Sequence, residues 1–173
     1  MHRDVFPQWT PPPHAPRLSE EHLDVWRIDL TVASGGPHQG PAGSGASSFG
    51  GLARTRAHKA MHEILAGYLD CPANELQFQV QPGGKPFLST VGQQLEFNLS
   101  HSHDTALLAV TDGVAVGVDV EGYRKIEDPL RLARRVMSSR ECAELASLQE
   151  SERLEQFLRL WTGMEARQIA FGR

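Results

Sequence analysis

The sequence predicts an α+β fold, and three observations support this class. Apolar residues recur at helical spacing over residues 52–70 and again from Pro129 to the end of the 173-residue chain. Short segments rich in valine, isoleucine and phenylalanine, which are typical of β-strands, lie before and between the helices. The composition, 40% apolar and 22% charged, is that of an ordinary globular protein. One domain, or two small subdomains that share a core, fits this length.

The first fifty residues divide into three segments. Residues 1–21 include Pro11, Pro12 and Pro13 in a row, which excludes a helix or a central strand and predicts an extended arm. Residues 22–32, HLDVWRIDLTV, alternate apolar and polar side chains imperfectly and predict a strand. Residues 33–51 are rich in glycine, serine, proline and alanine, so we expect a mobile linker there.

Several short strands are predicted after the helix at 52–70. The sequence ELQFQVQPGGKPFL gives a short strand, a Pro-Gly-Gly turn and an extended segment that begins at Lys85. Phe97–Ser100 and Ala106–Val110 predict two further strands, and Thr111–Gly113 predicts a tight turn.

Residues 114–121, VAVGVDVE, alternate valine with other residues and predict a last strand. The valines would form one buried face, and Asp119 and Glu121 would project together from the other face. From Pro129 onward the pattern is helical, with Ser138 or Ser139 and Ser151 as candidate N-caps.

The composition excludes several function classes. A net charge of −4 and a pI near 6.0 argue against a general nucleic-acid-binding protein, which needs a broad basic surface. Cys71 and Cys142 fit neither a disulfide framework nor a CxxC metal site. No apolar run approaches the ~20 residues of a membrane span, and the N-terminus lacks the apolar core of a signal peptide. We therefore expect a cytoplasmic protein without membrane or nucleic-acid partners.

The sequence GVDVE, residues 117–121, is a candidate metal site. Two carboxylates on one face of a strand are the oxygen ligands that a hard cation such as Mg²⁺ prefers. Gly117 would let a ligand approach the pair because it has no side chain. The alternative is that Asp119 and Glu121 are solvated charges on a strand surface.

Two further motifs are candidate anion sites. In FNLSHSHD the hydroxyl, imidazole and backbone N–H groups of Ser100, His101, Ser102 and His103 could bind phosphate oxygens, or could satisfy a turn without any ligand. In GGKPF, Lys85 is a cation between glycines and a rigid proline, which suits a phosphate or carboxylate; the alternative is a surface lysine. A Ser/His/Asp hydrolase is disfavoured because the chain has no G-x-S-x-G motif.

The order of these motifs is more specific than any one of them. GKP, FNLSHS, GVDVE and a helix reading LWT-x-x-EA follow one another. This series strongly resembles the 4′-phosphopantetheinyl transferase superfamily, in particular its long, pseudo-dimeric surfactin-synthetase-activating type. The similarity covers about residues 52–173, with a looser match at VWRIDL.

The resemblance implies a fold and a domain organisation. Two similar α/β subdomains would enclose the ligand site. The chain would then comprise a proline-rich arm (1–21), an N-terminal subdomain (22–102, with the linker 33–51) and a C-terminal subdomain (103–173) with the metal-binding motifs. The family continues for several strands beyond the closing helix, so the second subdomain is expected to be incomplete.

The resemblance also implies a reaction. In the family, coenzyme A binds with Mg²⁺ on its diphosphate, and the serine of an acyl or peptidyl carrier protein attacks the phosphorus that bears the pantetheine arm. By motif position Asp119, Glu121 and Glu165 would hold Mg²⁺, and Glu165 would also be the catalytic base. The implied coenzyme A contacts are Lys85, Ser100 and His101 for the phosphates and Arg54, with Arg56 as a second candidate, for the 3′-phosphate.

The chain departs from the family pattern at three positions. Met164 and Ile169 replace family lysines, and His62 replaces an arginine. Residues four apart share a helix face, so Ile169 lies beside Glu165, and losing one preorganised donor typically costs ~10²–10³ in rate. The alternative to an enzyme is a non-catalytic, degenerate member that binds coenzyme A or a carrier protein.

A basic run after GVDVE is a candidate docking surface for the carrier protein. It comprises Arg124, Lys125, Arg131, Arg134, Arg135 and Arg140. Carrier proteins of this family's reactions are acidic, so opposite charges would attract the partner. The alternative is a solvated helix face.

Overall fold

A computed structural model describes residues 2–5, 22–31, 46–89, 94–124 and 126–172, with backbone alone at 2–5 and 46–50. It has the predicted α+β class. In chain order the strands and helices are β1 (His2–Val5), β2 (Leu23–Asp29), α1 (Ala46–Leu69), β3 (Phe78–Val80), β4 (Pro86–Leu88), β5 (Leu95–Ser102), β6 (Thr105–Asp112), α2 (Pro129–Val136), α3 (Ser139–Ser147) and α4 (Glu150–Phe171).

The main sheet has the strand order β1-β2-β6-β5. β6 pairs antiparallel with both β2 and β5, and β1 pairs parallel with β2 at the edge. An edge strand at residues 2–5 agrees with the extended arm predicted for that part of the chain; residues 6–21 lie outside the described residues. β5 is the other edge strand, so one side of it is open to residues 115–122, which follow β6.

Helix α1 packs on this sheet and forms the first core. Buried Met61, Ile64 and Leu65 of α1 meet Leu108 of β6 and Phe97 of β5. The helix is anchored at its end by Tyr68, whose hydroxyl accepts from Trp26 Nε1 at 2.8 Å and donates to Asp24 Oδ2 at 2.6 Å. Apolar residues at helical spacing predicted this helix because one stripe of it is buried.

The predicted linker 33–51 is wrong at its C-terminal end, because α1 begins at Ala46 rather than at Leu52. Each residue added to an existing helix gains one hydrogen bond, whereas starting a helix is unfavourable. The strong apolar stripe downstream therefore extends the helix back through Gly50 and Gly51 despite their low propensity. The rest of the linker, from residue 33 to residue 45, lies outside the described residues.

The predicted Pro-Gly-Gly turn joins β3 and β4 into a hairpin. Gly84 has φ +85°, and its N–H donates to the carbonyl of Gln81 at 2.8 Å. A positive φ suits glycine, which explains why this position carries one.

The strand predicted over residues 114–121 is wrong. β6 ends at Asp112, and residues 115–122 have no backbone ladder. The valines do not form one buried face either, since Val114 is 56% exposed and Val116 is 7% exposed. Gly113, at φ +67°, turns the chain away from β6, and the N–H groups that follow bond side chains of β5 instead.

Helices α2, α3 and α4 form a second core around Ala133, Leu145, Phe157 and Leu158. Ser138 caps α3 in a capping box with Glu141, as predicted. Ser151 is not a cap, because α4 begins at Glu150 after Gln149. Gly172 ends α4 in the left-handed conformation, which its missing side chain allows.

No described helix is long and apolar enough to cross a membrane. The proposed boundary between subdomains, after Ser102, falls in the turn between β5 and β6, which pair along their whole length. The division into two similar halves stays a prediction.

Candidate functional site

The acidic segment, residues 115–122, lies beside the edge strand β5 and is attached to it by side chains. The N–H of Val118 donates to Asn98 Oδ1 at 2.8 Å, and the N–H of Gly122 donates to Ser102 Oγ at 2.9 Å. Between them, the N–H of Val120 donates to Ser100 Oγ at 3.2 Å. The polar side chains of β5 therefore accept the bonds that a neighbouring strand's carbonyls would otherwise accept.

Asp119 is oriented by this attachment. The hydroxyl of Ser100 donates to Asp119 Oδ1 at 2.8 Å while it accepts from the next backbone N–H. Glu121 follows two residues later, and its Oε1 lies 3.9 Å from Nη2 of Arg124. An exposed pair at this distance contributes little to stability, so the carboxylate of Glu121 is not locked by it.

Glu165 lies on α4, which packs directly against the acidic segment. A Cβ added to Gly117 would overlap the carbonyl oxygen of Ala166 and lie 2.8 Å from the N of Ala170. The backbone of the acidic segment thus touches α4 one residue after Glu165. Glu165 itself is half-buried.

The three carboxylates differ from a preformed metal cage. Among residues 22–31, 51–89, 94–124 and 126–172, no three His, Cys, Asp or Glu side chains converge closely enough to hold a metal ion. Mg²⁺ commonly takes only one or two protein carboxylates, with water and substrate phosphates as its other ligands. The carboxylates of Asp119, Glu121 and Glu165 are therefore suitable ligands for Mg²⁺. A site that is completed by substrate phosphates does not require three protein carboxylates to converge on one point.

Lys85 points toward the acidic segment rather than into open solvent. Its Nζ donates to the carbonyl of Val116 at 2.9 Å and lies 3.4 Å from Glu96 Oε2. The side chain is 11% exposed. The alternative of an ordinary surface lysine is therefore wrong, and Lys85 helps to hold the start of the acidic segment; its predicted contact with a phosphate stays a prediction.

A basic stripe runs along the side of α1. Arg54, His58 and His62 follow at intervals of four residues, which places them on one helix face. Burial lowers the pKa of His58, and the nearby charges of Arg54, His62 and His101 lower it further. His101, on β5, therefore lies close to the stripe and joins it to the strand that carries Ser100.

His62 of the stripe lines a pocket of about 400 Å³ together with His58, Lys59, Glu63, Ala73 and Asn74. The imidazole of His62 stacks on Phe78, with ring centroids 4.4 Å apart, and burial lowers its pKa. Arg56, two residues from Arg54, donates to the carbonyl of Leu30 at 2.9 Å and so joins α1 to the residue that follows β2.

A second pocket, of about 390 Å³, opens beside Glu121. It is lined by Ser102, His103, Asp104, Thr105, Val120, Glu121, Gly122 and Tyr123. His103 has φ +53°, and its ring occupies the space that a Cβ on Gly122 would need. Gly122 is therefore required for the ring of His103 to sit against the acidic segment.

Two residues near the site, Asn98 and His58, were not singled out from the sequence. Asn98 shares the two-residue period of β5 with Ser100 and Ser102, and that period was the available signal. His58 was signalled by its spacing from Arg54 and His62. Ser102 and His103 belong to the predicted cluster, but nothing in the sequence signalled the packing of His103 on Gly122.

The acidic segment and α4 together correspond to a known family. A family model described as the 4′-phosphopantetheinyl transferase superfamily matches residues 115–167. The 4′-phosphopantetheinyl transferase HetI of Nostoc sp. is 32% identical over 171 residues, which cover 91% of this chain and 72% of HetI. This chain belongs to the 4′-phosphopantetheinyl transferase superfamily.

Other members of the superfamily match shorter parts. The 4′-phosphopantetheinyl transferase AcpT of Salmonella typhimurium is 42% identical over 111 residues, or 64% of this chain and 56% of AcpT. The 4′-phosphopantetheinyl transferase Sfp of Bacillus subtilis is 29% identical over 106 residues, or 61% of this chain and 46% of Sfp. The chain thus spans about half the length of these two relatives. The predicted family, and the transferase class that comes with it, are confirmed.

Proposed function

We propose that this protein transfers the 4′-phosphopantetheine arm of coenzyme A to a serine of an acyl or peptidyl carrier protein, with Mg²⁺. The observation that carries the proposal is the joint placement of the three carboxylates. Asp119 and Glu121 lie on a segment that is attached to β5 on one side and touches α4, next to Glu165, on the other. A cytoplasmic location belongs to the same proposal.

The proposed reaction exchanges one phosphorus–oxygen bond for another. The Oγ of the carrier serine forms a bond to the phosphorus that bears the pantetheine arm, and the bond from that phosphorus to 3′,5′-ADP breaks. Glu165 accepts the serine proton as general base. Mg²⁺, bound directly by one or two of Asp119, Glu121 and Glu165 and through water by the rest, would neutralise charge on the diphosphate oxygens.

The residues around the carboxylates have separate proposed roles. Ser100 orients Asp119 through its 2.8 Å bond, and with His101 and Lys85 it is proposed to contact the phosphates of coenzyme A. Arg54 is proposed to bind the 3′-phosphate as part of the basic stripe. Lys85 already bonds Val116, so a phosphate contact would be shared with that carbonyl.

A second candidate function is a non-catalytic protein that binds coenzyme A or a carrier protein. Met164 and Ile169, both half-buried on α4 beside Glu165, supply no positive charge where the family has lysines. Weaker stabilisation of the developing phosphate charge would lower the rate without abolishing binding. This observation favours impaired catalysis.

The carrier protein is proposed to dock on α2. Arg131, Arg134 and Arg135 are exposed there, and Leu132 and Val136 are 37% and 44% exposed at a spacing of four residues. A face with an apolar pair between arginines suits an acidic partner that also offers apolar side chains. The buried residue of α2, Ala133, packs into the second core, so it lies on the opposite side of the helix from this exposed face.

The deciding experiment measures transfer of a fluorescent pantetheine arm from labelled coenzyme A to an apo-carrier protein. We expect Mg²⁺-dependent labelling that falls at least ~10²-fold in Glu165→Gln and in Asp119→Asn. Glu152→Gln, an exposed carboxylate in the first turn of α4, is the matched control and should keep the wild-type rate.

The same assay separates the two functions. If lost lysines limit an active enzyme, Met164→Lys with Ile169→Lys should raise the rate by a factor of tens. Tight Mg²⁺-dependent coenzyme A binding without transfer in either protein would support the binding protein. Absence of both binding and transfer would contradict both functions.

A further inference from the structure

The attachment of the acidic segment to β5 has a constant register. Val118, Val120 and Gly122 donate their N–H groups to side chains that lie twenty residues earlier, at Asn98, Ser100 and Ser102. A constant offset means that the segment runs parallel to β5 and in step with it. Alternate residues of β5 share one face, so the three acceptors form a single row, which we name the side-chain ladder.

The ladder replaces secondary structure at a place where strand pairing is absent. A backbone N–H that is partly buried and has no acceptor is costly, so these three groups depend on the β5 side chains. Asn98 is 5% exposed, which makes its carbonyl oxygen a fixed acceptor rather than a solvated one. Lys85 extends the row by bonding the carbonyl of Val116.

The ladder fixes every second residue from Val116 to Gly122. The two carboxylates occupy the positions between its rungs: Asp119 lies between Val118 and Val120, and Glu121 between Val120 and Gly122. Gly117, another intermediate position, lies against α4. The rungs thus determine where Asp119 and Glu121 sit relative to each other and to the helix of Glu165.

We propose that Asn98 and Ser102 are positioning residues for this carboxylate pair. They act through the backbone of the acidic segment and touch neither carboxylate by a hydrogen bond in the described contacts. This inference rests on the proposed function for its catalytic consequence. The ladder itself, and its effect on metal binding, can be measured without a carrier protein.

The test uses Ser102→Ala and Asn98→Leu in the full chain, with Ser102→Thr to restore the hydroxyl. Ser147→Ala is the matched control, because the Ser147 hydroxyl also bonds a backbone group, the carbonyl of Glu144, but within α3. Circular dichroism confirms that each variant is folded. Affinity for Mn²⁺ in the presence of coenzyme A is measured by electron paramagnetic resonance, and amide exchange is measured by NMR.

Groups that orient metal ligands typically change metal affinity or activity by 10–100-fold when removed. We expect Ser102→Ala and Asn98→Leu to weaken Mn²⁺ binding by about tenfold or more, and Ser102→Thr and Ser147→Ala to keep it within about twofold. The amide of Gly122 should exchange faster in Ser102→Ala, and that of Val118 faster in Asn98→Leu. In the transfer assay kcat should fall while KM for the carrier stays constant, which a general loss of stability would not produce.

Three results would overturn the proposal. Fast exchange of the Val118 and Gly122 amides in the wild type would show that the ladder does not form in solution. Faster exchange in the variants with unchanged Mn²⁺ affinity would show that the ladder does not position the carboxylates. Absence of Mn²⁺ binding by the wild type would show that the carboxylates bind no metal, so that Asn98 and Ser102 cannot position them for it. Weaker Mn²⁺ binding in the variants, combined with a wild type that transfers nothing, would instead support the ladder and contradict the proposed function.

Discussion

Gly117 determines how closely α4 approaches the acidic segment. At Gly122 the space of an added Cβ is filled by the ring of His103, a side chain that can turn aside, but at Gly117 it is filled by the backbone of α4 at Ala166 and Ala170. Backbone atoms cannot move away as a flexible side chain can. The glycine in GVDVE therefore serves helix packing, whereas the sequence suggested that it leaves room for a ligand.

We expect Gly117→Ala to displace α4 and to lower the free energy of unfolding by about 1–3 kcal/mol, the usual range for overpacking. Transfer activity should fall further than this instability explains, because the displacement moves Glu165 relative to Asp119. Gly163→Ala is the matched control: nothing lies within 4 Å of a Cβ there, and alanine is the better helix former, so stability should rise by about 0.5–1 kcal/mol.

Urea unfolding of the three proteins measures the first effect, and the coenzyme A transfer assay measures the second. A Gly117→Ala protein with wild-type stability and activity would show that α4 can retreat without consequence, and that the close contact does not set the site.

The family motifs in the sequence indicated which residues to propose for the site, but not which contacts those residues make. Asp119, Glu121 and Glu165 all fall within the matched region, residues 115–167. The 2.8 Å bond from Ser100 to Asp119 depends on residues 19 positions apart, and the contact of Lys85 with Val116 joins residues 31 apart. Such pairs depend on how the hairpin and the acidic segment fold together, which local pattern does not record.

Helices were predictable here because their apolar stripes are buried, as at Met61, Ile64 and Leu65 of α1. The acidic segment was predicted wrongly as a strand because alternating valines are also compatible with an extended chain held by side chains. The alternating pattern predicts an extended backbone. Whether its N–H groups donate to backbone carbonyls of a neighbouring strand or to the side chains of Asn98, Ser100 and Ser102 depends on the strand beside it.

Helix α2 offers the element-scale prediction for carrier recognition. Arg134→Glu with Arg135→Glu should weaken binding of an acidic apo-carrier by about tenfold at low salt, and should reduce the salt dependence of what remains. Arg27→Glu, an exposed arginine on β2 of the main sheet, is the control and should leave the affinity unchanged.

Calorimetric titration at two salt concentrations provides the measurement. Unchanged carrier affinity in the double variant at low salt would remove α2 as the docking surface and leave its arginines as solvated charges. A loss of affinity in Arg27→Glu of the same size would instead indicate a non-specific charge effect.

The molecule as a whole carries a net charge of −4, so attraction of an anionic cofactor depends on local groups. The basic stripe on α1 is the proposed source of these groups, but two of its members are imidazoles. Burial lowers the pKa of His58 and of His62, so both are more often neutral near pH 7 than an ordinary histidine. A family arginine would be charged throughout this range, and we therefore expect coenzyme A binding by this chain to depend on pH.

The sign of this sensitivity differs between the free and the bound protein. The unfolded chain binds protons near the ordinary histidine pKa of 6.5, before the folded chain does, so the free protein should lose stability as pH falls through about 6.5. Bound phosphate favours the charged imidazoles, so coenzyme A affinity should rise by about threefold or more from about pH 7.5 to about pH 6. The rise in Tm caused by coenzyme A should therefore be larger at the lower pH. His58→Gln with His62→Gln should flatten this trend, and His22→Gln, just before β2, should keep it. Protonation of the cofactor itself cancels in this comparison. Equal trends in all three proteins, measured by scanning fluorimetry, would show that the stripe does not bind the cofactor.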